Sequence, residues 1–235
     1  MVGIVFVSHS VKIAEGLVDL ARQMAAGVTL VAAGGTDEDG IGTSYEKVSA
    51  GIEAADSGAG VVVLCDLGSA ILTAETALDF LDDGVRARVR LVNAPLVEGG
   101  VAAAVAAEVG GDLDAVSNAA LSAAQVFVPG LPATPSAAPS AAPAEAEAPS
   151  GRFSRSVTLR NKAGLHARPA AEFVKLASSF SVPVTVNGKD ARSLLGIMSL
   201  GLNKGAVAEI SSDAPDGADA VNALADLVET GFGEE

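Results

Sequence analysis

The first half of the chain alternates short apolar runs with longer amphipathic segments. The runs Val2–Val7, Val28–Ala33, Val61–Cys65 and Val89–Val92 are apolar almost throughout, which is typical of strands buried on both faces of a parallel sheet. The segments between them repeat apolar residues every three or four positions, which indicates helices. Strands that alternate with helices in this way predict a doubly wound, mostly parallel α/β fold for residues 1–130.

The helices of this half follow from the same periodicity. Thr43-Ser-Tyr-Glu46 has the spacing of a capping box, so we expect Thr43 to be the N-cap of the second helix. The other helices are predicted at Val11–Met24, Ser69–Leu81, Val97–Val109 and Leu113–Ala124.

Residues 151–235 have a different rhythm of shorter elements. Val182, Val184 and Val186 alternate as in a half-buried strand, and the Asn187-Gly188 pair that follows is a strong hairpin signal. The order of elements is β-α-β-β-α-β-α with short connections, which predicts a small α+β sandwich. The remaining elements are a strand at Ser154–Arg160, a helix after Pro169, a short helix at Ser193–Leu200, a strand at Ala206–Ile210 and a helix at Ala218–Val228.

The segment 131–150 separates these two halves. Sixteen of its 20 residues are Ala, Pro or Ser, a composition that cannot bury enough apolar surface to offset the entropy of ordering. We therefore predict a linker between a domain at 1–130 and a domain at 151–235. Twenty residues reach at most ~70 Å when fully extended, and a flexible coil of that length spans roughly 25 Å.

Charge and cysteine content exclude several classes of function. The net charge is −14, and residues 1–130 hold 6 Lys and Arg against 17 Asp and Glu. Such an acidic surface argues against nucleic acid and anionic membranes, which both require basic residues. The lone Cys65 excludes an internal disulfide, and we expect a buried, reduced thiol and no metal site. The N-terminus has no basic region and no apolar run approaches ~20 residues, so we expect a cytoplasmic protein.

Both histidines of the chain lie where a predicted strand meets a predicted helix. His9 follows the first strand, and His166 follows the Gly164 turn and precedes Pro169. A neutral imidazole is a nucleophile near neutral pH. A helix N-terminus supplies unpaired N–H groups and a positive dipole end that hold a phosphoryl group. These placements favour a phosphate carrier, although a histidine at a helix start can also be only an exposed or capping residue.

The second domain carries two motifs of a known family. Asn161-Lys-Ala-Gly-Leu-His-Ala-Arg-Pro-Ala170 closely resembles the active-site loop of HPr, the histidine phosphocarrier of the phosphotransferase system, and Arg192–Gly201 resembles its second signature. The resemblance implies an open-faced sandwich in which His166 is phosphorylated at Nδ1. It also implies that Arg168 and the helix amides near Ala167 bind the phosphoryl group.

Ser193 lies at the start of the second HPr-like signature. It precedes an apolar helical run, as an N-cap should, and we expect that capping role. In some HPr relatives the matching serine is phosphorylated by a regulatory kinase, so Ser193 is also a candidate regulatory site.

The first domain resembles the EIIA domain of the DhaM family, the phosphodonor subunits of dihydroxyacetone kinases, which are related to mannose-type EIIA domains. The resemblance implies that His9 is phosphorylated, that Asp66 orients it, and that the domain forms a homodimer. Asp66 closes a buried strand and so lies at the same sheet edge as His9, although it could instead cap the next helix. The matching segments are Val7–Ser10, Gly16–Met24, Gly40–Thr43, Asp66–Ala70, Thr73–Leu78 and Ala94–Gly99.

Three further residues are candidates for holding phosphate in this domain. Gly68 and Ser69 open the helix after Asp66 and could donate backbone N–H groups to a phosphoryl group. Thr43 could touch phosphate as well, but we expect it to serve chiefly as the N-cap.

Together the two resemblances imply a phosphoryl relay, a component of the phosphoenolpyruvate–glycerone phosphotransferase. Enzyme I would phosphorylate His166, which would pass the group to His9. His9 would then phosphorylate ADP on a DhaL-type subunit, and the ATP formed would phosphorylate dihydroxyacetone on a DhaK-type subunit. We expect no cofactor on this chain and Mg-ADP/ATP on the partner.

Some relatives carry an enzyme I-like domain after HPr, whereas this chain ends at Glu235, so we expect a separate enzyme I. Two alternatives remain open. The chain could serve a mannose-type sugar transporter as an EIIA–HPr fusion, or it could be a regulatory module whose phosphorylation state is the signal.

Overall fold

The computed structural model describes residues 1–126, 152–161 and 164–233. The predicted linker at 131–150 lies outside the described residues. Among these residues, four strands and six helices belong to the first domain, and four strands and three α-helices belong to the second. In the first domain these are β1 (Gly3–Ser8), α1 (Val11–Arg22), β2 (Leu30–Gly34), α2 (Tyr45–Ala55), β3 (Val61–Cys65), α3 (Gly68–Asp79), α4 (Asp83–Arg86), β4 (Val89–Val92), α5 (Leu96–Glu108) and α6 (Leu113–Val126).

The first domain is built on a parallel sheet with the strand order β2-β1-β3-β4. In the central strand β1, Ile4 and Phe6 pack with residues of α1 and α5, whereas Val5 and Val7 pack with residues of α2 and α3. Both faces of the sheet are therefore covered by helices, which is why its strands are almost entirely apolar. The predicted doubly wound α/β fold is confirmed.

Because all four strands run in the same direction, their carboxyl ends meet at one edge of the sheet. The register pairs Val7 of β1 with Cys65 of β3 and with Ala33 of β2. The residues that follow these strands, His9 and Asp66 among them, are consequently brought to the same edge although they are far apart in the sequence.

The second domain is an antiparallel sheet, ordered β5-β8-β6-β7, with helices packed on one face. Along β8, Ala208 and Ile210 are buried with the helices, whereas Val207 and Glu209 are exposed. This alternation confirms the predicted open-faced sandwich. Its elements are β5 (Phe153–Thr158), α7 (Ala167–Ser178), β6 (Thr185–Val186), β7 (Lys189–Asp190), α8 (Leu194–Met198), β8 (Val207–Ser212) and α9 (Ala218–Glu229), followed by a 3-10 turn at Gly231–Gly233.

The two domains touch through one side of the first domain. Leu195 of α8 packs with Ala102 of α5 and with Ala119 and Ala123 of α6. The Nζ of Lys175 on α7 lies 3.3 Å from Oε1 of Glu108 at the end of α5. The rim of the sheet that carries His9 takes no part in these contacts.

Several element boundaries differ from the sequence-based predictions. The predicted capping box at Thr43 is wrong, because the N-cap of α2 is Ser44, whose Oγ accepts a hydrogen bond from the amide of Lys47. The strand predicted over Val182–Val186 is shorter, since only Thr185 and Val186 join the ladder. Helix α7 begins at Ala167, two residues before Pro169, which its first turn tolerates.

No helix in the parts of the chain that the structure describes is both long enough and apolar enough to cross a membrane.

Candidate active site

His9 follows the last residue of β1 and immediately precedes the first turn of α1. Its backbone carbonyl accepts a hydrogen bond from the amide of Gly42, so the loop after β2 is held against it. About one fifth of its side chain is exposed. The ring is therefore fixed by its surroundings and is still open to a reacting partner.

The Asp66 carboxylate organises the residues around this histidine. Its Oδ1 lies 2.9 Å from His9 Nδ1 and accepts a hydrogen bond from the amide of Leu67. Its Oδ2 accepts hydrogen bonds from the Ser8 hydroxyl and from the amide of His9, both at 2.8 Å. Four donors thus converge on one carboxylate, which leaves Asp66 little freedom to rotate.

These contacts keep the carboxylate ionised. Burial alone would raise the pKa of the Asp66 carboxyl, but the hydrogen bonds from the backbone and ring of His9, from Ser8 and from Leu67 together hold that pKa below its usual value. An ionised carboxylate only accepts hydrogen bonds, so the proton in the His9–Asp66 contact belongs to Nδ1. In the neutral ring Nε2 then carries the free lone pair.

Nε2 faces the start of helix α3. The Ser69 hydroxyl lies 2.6 Å from Nε2 and, with Nδ1 protonated, donates to its lone pair. Gly68 and Ser69 are the first two residues of α3, and the first amides of an α-helix have no partner within the helix. Both residues are exposed, so an anion bonded to Nε2 would meet these N–H groups and the positive end of the helix dipole.

Thr43 lies beside this site but in a different role from the predicted one. Its Oγ1 is 2.7 Å from Oγ1 of Thr73 on α3, and Thr73 in turn donates to the carbonyl oxygen of Ser69. The hydroxyl pair therefore connects the loop after β2 with the first turns of α3. Thr43 supports the shape of the site, and it is not the cap of α2.

The structure brings together His9, Asp66, Gly68 and Ser69, as the sequence led us to expect. Two participants were not singled out. Ser8 is fully buried and donates to Asp66, and Thr73 partners Thr43. A buried serine at the end of an apolar strand was the available signal for Ser8, whereas nothing in the sequence relates Thr73 to a loop thirty residues earlier.

His166 is the N-cap of α7, and its carbonyl accepts the hydrogen bond from Ala170 that opens the helix. The chain reaches it through Gly164, which has a φ of +68°. A side chain at Gly164 would overlap the Leu202 carbonyl oxygen, which also accepts a hydrogen bond from Leu165. This close approach explains why the turn before His166 needs glycine.

The basic residue predicted beside His166 is available at the surface. Arg168, in the first turn of α7, has a side chain that is 66% exposed, and its Nε lies 3.7 Å from Oε1 of Glu172 one turn later. An exposed ion pair of this kind is weak, so the guanidinium can turn toward an anion at the helix start. Ala167 is the first residue of that helix.

Ser193 caps α8, as predicted. Its Oγ accepts a hydrogen bond from the amide of Gly196 at 3.1 Å, with the extended backbone that an N-cap adopts. Among the described residues, no group of three or more His, Cys, Asp and Glu side chains is placed to hold a metal ion.

Comparisons with known proteins find a different family in each half of the chain. The family model of the PTS system fructose IIA component matches residues 3–117, and that of the PTS HPr component phosphorylation site matches residues 153–230. The phosphocarrier protein HPr of Neisseria meningitidis is 42% identical over 84 residues, which are 34% of this chain and 94% of that protein.

Curated relatives extend the similarity across both domains. The PEP-dependent dihydroxyacetone kinase phosphoryl donor subunit DhaM of Pantoea ananatis is 40% identical over 242 residues, which cover 100% of this chain and 51% of that protein. The chain thus spans about half the length of such relatives. A DhaM subunit of Listeria innocua is 41% identical over 106 residues, which are 45% of this chain and 85% of that protein. With its paired IIA-type and HPr-type domains, this chain belongs to the DhaM family of phosphoryl donor subunits.

Proposed function

We propose that the chain relays a phosphoryl group from enzyme I to His166, then to His9, and finally to ADP on a DhaL-type subunit of dihydroxyacetone kinase. A DhaK-type subunit would use the ATP formed. The observation that carries the proposal is the geometry at His9. Asp66 holds Nδ1 at 2.9 Å, and Nε2 faces the exposed start of α3.

In the transfer between the two histidines, the Nε2 lone pair of His9 attacks the phosphorus held on His166. A new N–P bond forms as the N–P bond of His166 breaks, and the electron pair of that bond returns to the His166 ring. Positive charge that develops on His9 is balanced by Asp66, whose carboxylate is already oriented. The amides of Gly68 and Ser69 would donate hydrogen bonds to the phosphoryl oxygens.

In the final transfer, from His9 to ADP, His9 is the phosphoryl donor instead of the acceptor. A β-phosphate oxygen of ADP attacks the phosphorus, an O–P bond forms, and the N–P bond breaks with its electrons returning to Nε2. Positioning and charge stabilisation supply most of the catalysis in such steps. Magnesium would arrive with the nucleotide on the partner subunit.

In the second domain, the proposal places the phosphoryl group at the start of α7. The amides near Ala167 and the exposed Arg168 guanidinium would hold its oxygens. In the HPr family the phosphorylated atom is Nδ1, and we extend that assignment to His166. We also propose that the first domain forms a homodimer in the cytoplasm, which light scattering on the full chain would test.

The series order can be tested with two single variants. With phosphoenolpyruvate and enzyme I, His166→Ala should abolish labelling of the whole chain. His9→Ala should leave His166 labelled and stop ATP formation on DhaL–ADP. Normal ATP formation by the His9→Ala chain would overturn the proposal.

The same assay separates the alternatives. Transfer to a mannose-type IIB protein with none to DhaL–ADP would identify a sugar-transport role. Labelling of both histidines without delivery to either acceptor would leave a regulatory module.

A further inference from the structure

We propose that the outer face of α5 and α6 is a docking surface for the second domain of the same chain, which rests there between transfers. The contact includes Leu195 packed on alanines of the two helices and the ion pair between Lys175 and Glu108. It holds the second domain away from the rim that carries His9.

The sequence of α5 indicates that its outer face needs a cover. The nine residues Gly99–Ala107 include no polar side chain. A helix that is apolar on every side is normally buried on every side. Phe6 of the sheet packs against one side of α5, and α6 lies beside it. Ala102, only 4% exposed, belongs to a separate cluster that the second domain completes with Leu195.

Small side chains on the first domain face a large side chain of the second domain. Ala102, Ala119 and Ala123 leave a shallow apolar depression, and Leu195 fills it and is only 7% exposed. Leu195 is on α8, directly after Ser193 and Leu194. If the second domain were released, the side chain of Leu195 would be exposed to solvent.

The ion pair adds orientation to this contact. Glu108 is held in place because its Oε2 accepts a hydrogen bond from the amide of Gly27 at 2.8 Å, which leaves Oε1 to face Lys175. The Glu108 side chain is 13% exposed and that of Lys175 is 64% exposed. The first domain thus presents a fixed acid, and the second domain supplies a mobile base.

The contact is built to be released. A cavity of about 380 Å³ remains between the domains, lined by residues of both, among them Ala106, Asn118, Arg192 and Ser193. Leu195, the alanines of α5 and α6 and a partly exposed ion pair contribute to this interface, and interfaces between domains of one chain commonly permit domain motion. Covalent connection nevertheless keeps the docked state populated, since it raises the effective concentration of the second domain.

Docking has a consequence for the relay, and this consequence rests on the proposed function. While Leu195 is buried against α5 and α6, its side chain is unavailable to any other protein. Each transfer to His9 would then require release of the second domain, so the dock would set how often His166 is available.

Rotational diffusion of the full chain, measured by 15N NMR relaxation, tests the dock directly. In the wild-type protein both domains should share one correlation time. In Leu195→Lys a charge would enter the apolar depression. The correlation time of the second domain should then fall at least twofold, because it leaves a body of more than twice its own size. Val207→Lys is the matched control, because Val207 is an apolar residue of the second domain that is 55% exposed.

Charge exchange provides the second arm. Glu108→Lys should release the domain, and Lys175→Glu added to it should restore the shared correlation time. Recovery would show that the ion pair maintains the contact, because the double variant still lacks the hydrogen bond that Glu108 accepts from Gly27. If Leu195→Lys unfolds the second domain, Ala119→Lys makes the same test from the first domain.

Independent tumbling of the wild-type domains, or a shared correlation time in both Leu195→Lys and Ala119→Lys, would overturn the dock whether or not the relay exists. If the dock and the relay are both correct, Glu108→Lys should raise the rate of transfer from His166 to His9 severalfold, and the double variant should return it to the wild-type rate. Absence of any transfer would count against the relay and leave the relaxation result standing.

Discussion

At the scale of single residues, the direction in which His9 reacts is set by its neighbour. Asp66 accepts four hydrogen bonds and has no proton to give, so it fixes the Nδ1–H tautomer and exposes the Nε2 lone pair. The Ser69 hydroxyl lies beside Nε2, at the position that the proposed phosphoryl group would take. A serine at this position can turn aside, because its hydroxyl rotates freely.

We predict that Asp66→Asn slows phosphorylation of His9 by roughly 10²–10⁴-fold, the range expected when an orienting carboxylate or a proton acceptor is lost. An amide cannot accept all four hydrogen bonds, since its NH₂ group only donates. Rapid-quench labelling measures the rate, and circular dichroism should show an intact fold. Asp56→Asn, which alters another partly buried aspartate, is the control. An unchanged rate in Asp66→Asn would reduce Asp66 to a structural role.

At the scale of elements, the two carrier sites depend on how particular helices begin. Ser44 starts α2 by capping the amide of Lys47, and the residue before it, Thr43, is thereby released to contact Thr73. In the second domain, the turn at Gly164 delivers His166 to the start of α7. A shift of one residue would move Thr43 away from Thr73 in the first domain, or His166 away from the helix start in the second.

Loss of the Ser44 cap should lower the free energy of unfolding more than loss of the contact between Thr43 and Thr73. We predict that Ser44→Ala lowers the free energy of unfolding of the first domain by about 1 kcal/mol. Thr43→Val, which removes only the contact with Thr73, should have a smaller effect. Urea unfolding of both variants provides the comparison. The opposite ranking would return the N-cap to Thr43.

The turn before His166 should tolerate no side chain. We predict that Gly164→Ala destabilises the second domain by more than the ~1–2 kcal/mol of a left-handed residue alone, because its Cβ would also overlap the Leu202 carbonyl oxygen. Gly201→Ala is the matched control, since Gly201 has a similar φ of +58° with open space around it. Equal losses of stability in the two variants would show that the close approach at Leu202 is unimportant.

At the scale of the whole molecule, the chain joins an acidic first domain to a nearly neutral second one. Residues 151–235 hold 9 Lys and Arg against 10 Asp and Glu, whereas residues 1–130 hold 6 against 17. This difference favours an encounter between the basic residues near His166 and the acidic first domain, more strongly at low salt. In the proposed relay, the segment 131–150 would promote this encounter only through its length and its covalent connection of the two domains.

We predict that scrambling the Ala, Pro and Ser residues of 131–150 leaves transfer from His166 to His9 unchanged. Cutting the segment should make transfer depend on protein concentration, because tethering raises the effective concentration toward the millimolar range. Single-turnover rates measured over a range of protein concentrations distinguish these cases. Loss of transfer in the scrambled chain, with both domains folded, would make the segment a specific docking element.

Local pattern alone determined most of the secondary structure. The strands Val61–Cys65 and Val89–Val92 were predicted at their observed bounds, because buried parallel strands are apolar at nearly every position. The sequence also predicted that each histidine lies between a strand and a helix, and the structure has both in that position. The capping box failed because Thr43 and Ser44 are both good caps, and only the position of the chain after β2 decides between them.

The tertiary structure decided what lies far apart in the sequence. Parallel pairing places Val7 beside Cys65, and this register alone brings Asp66 to His9 and Ser69 to Nε2. Thr73 reaches Thr43 because α3 crosses the loop after β2, and Leu195 reaches Ala102 because one domain packs on the other. A sequence records which side chains can react, pack or cap within a few residues. Which of them meet across the fold depends on strand order, register and packing, and these are properties of the folded chain as a whole.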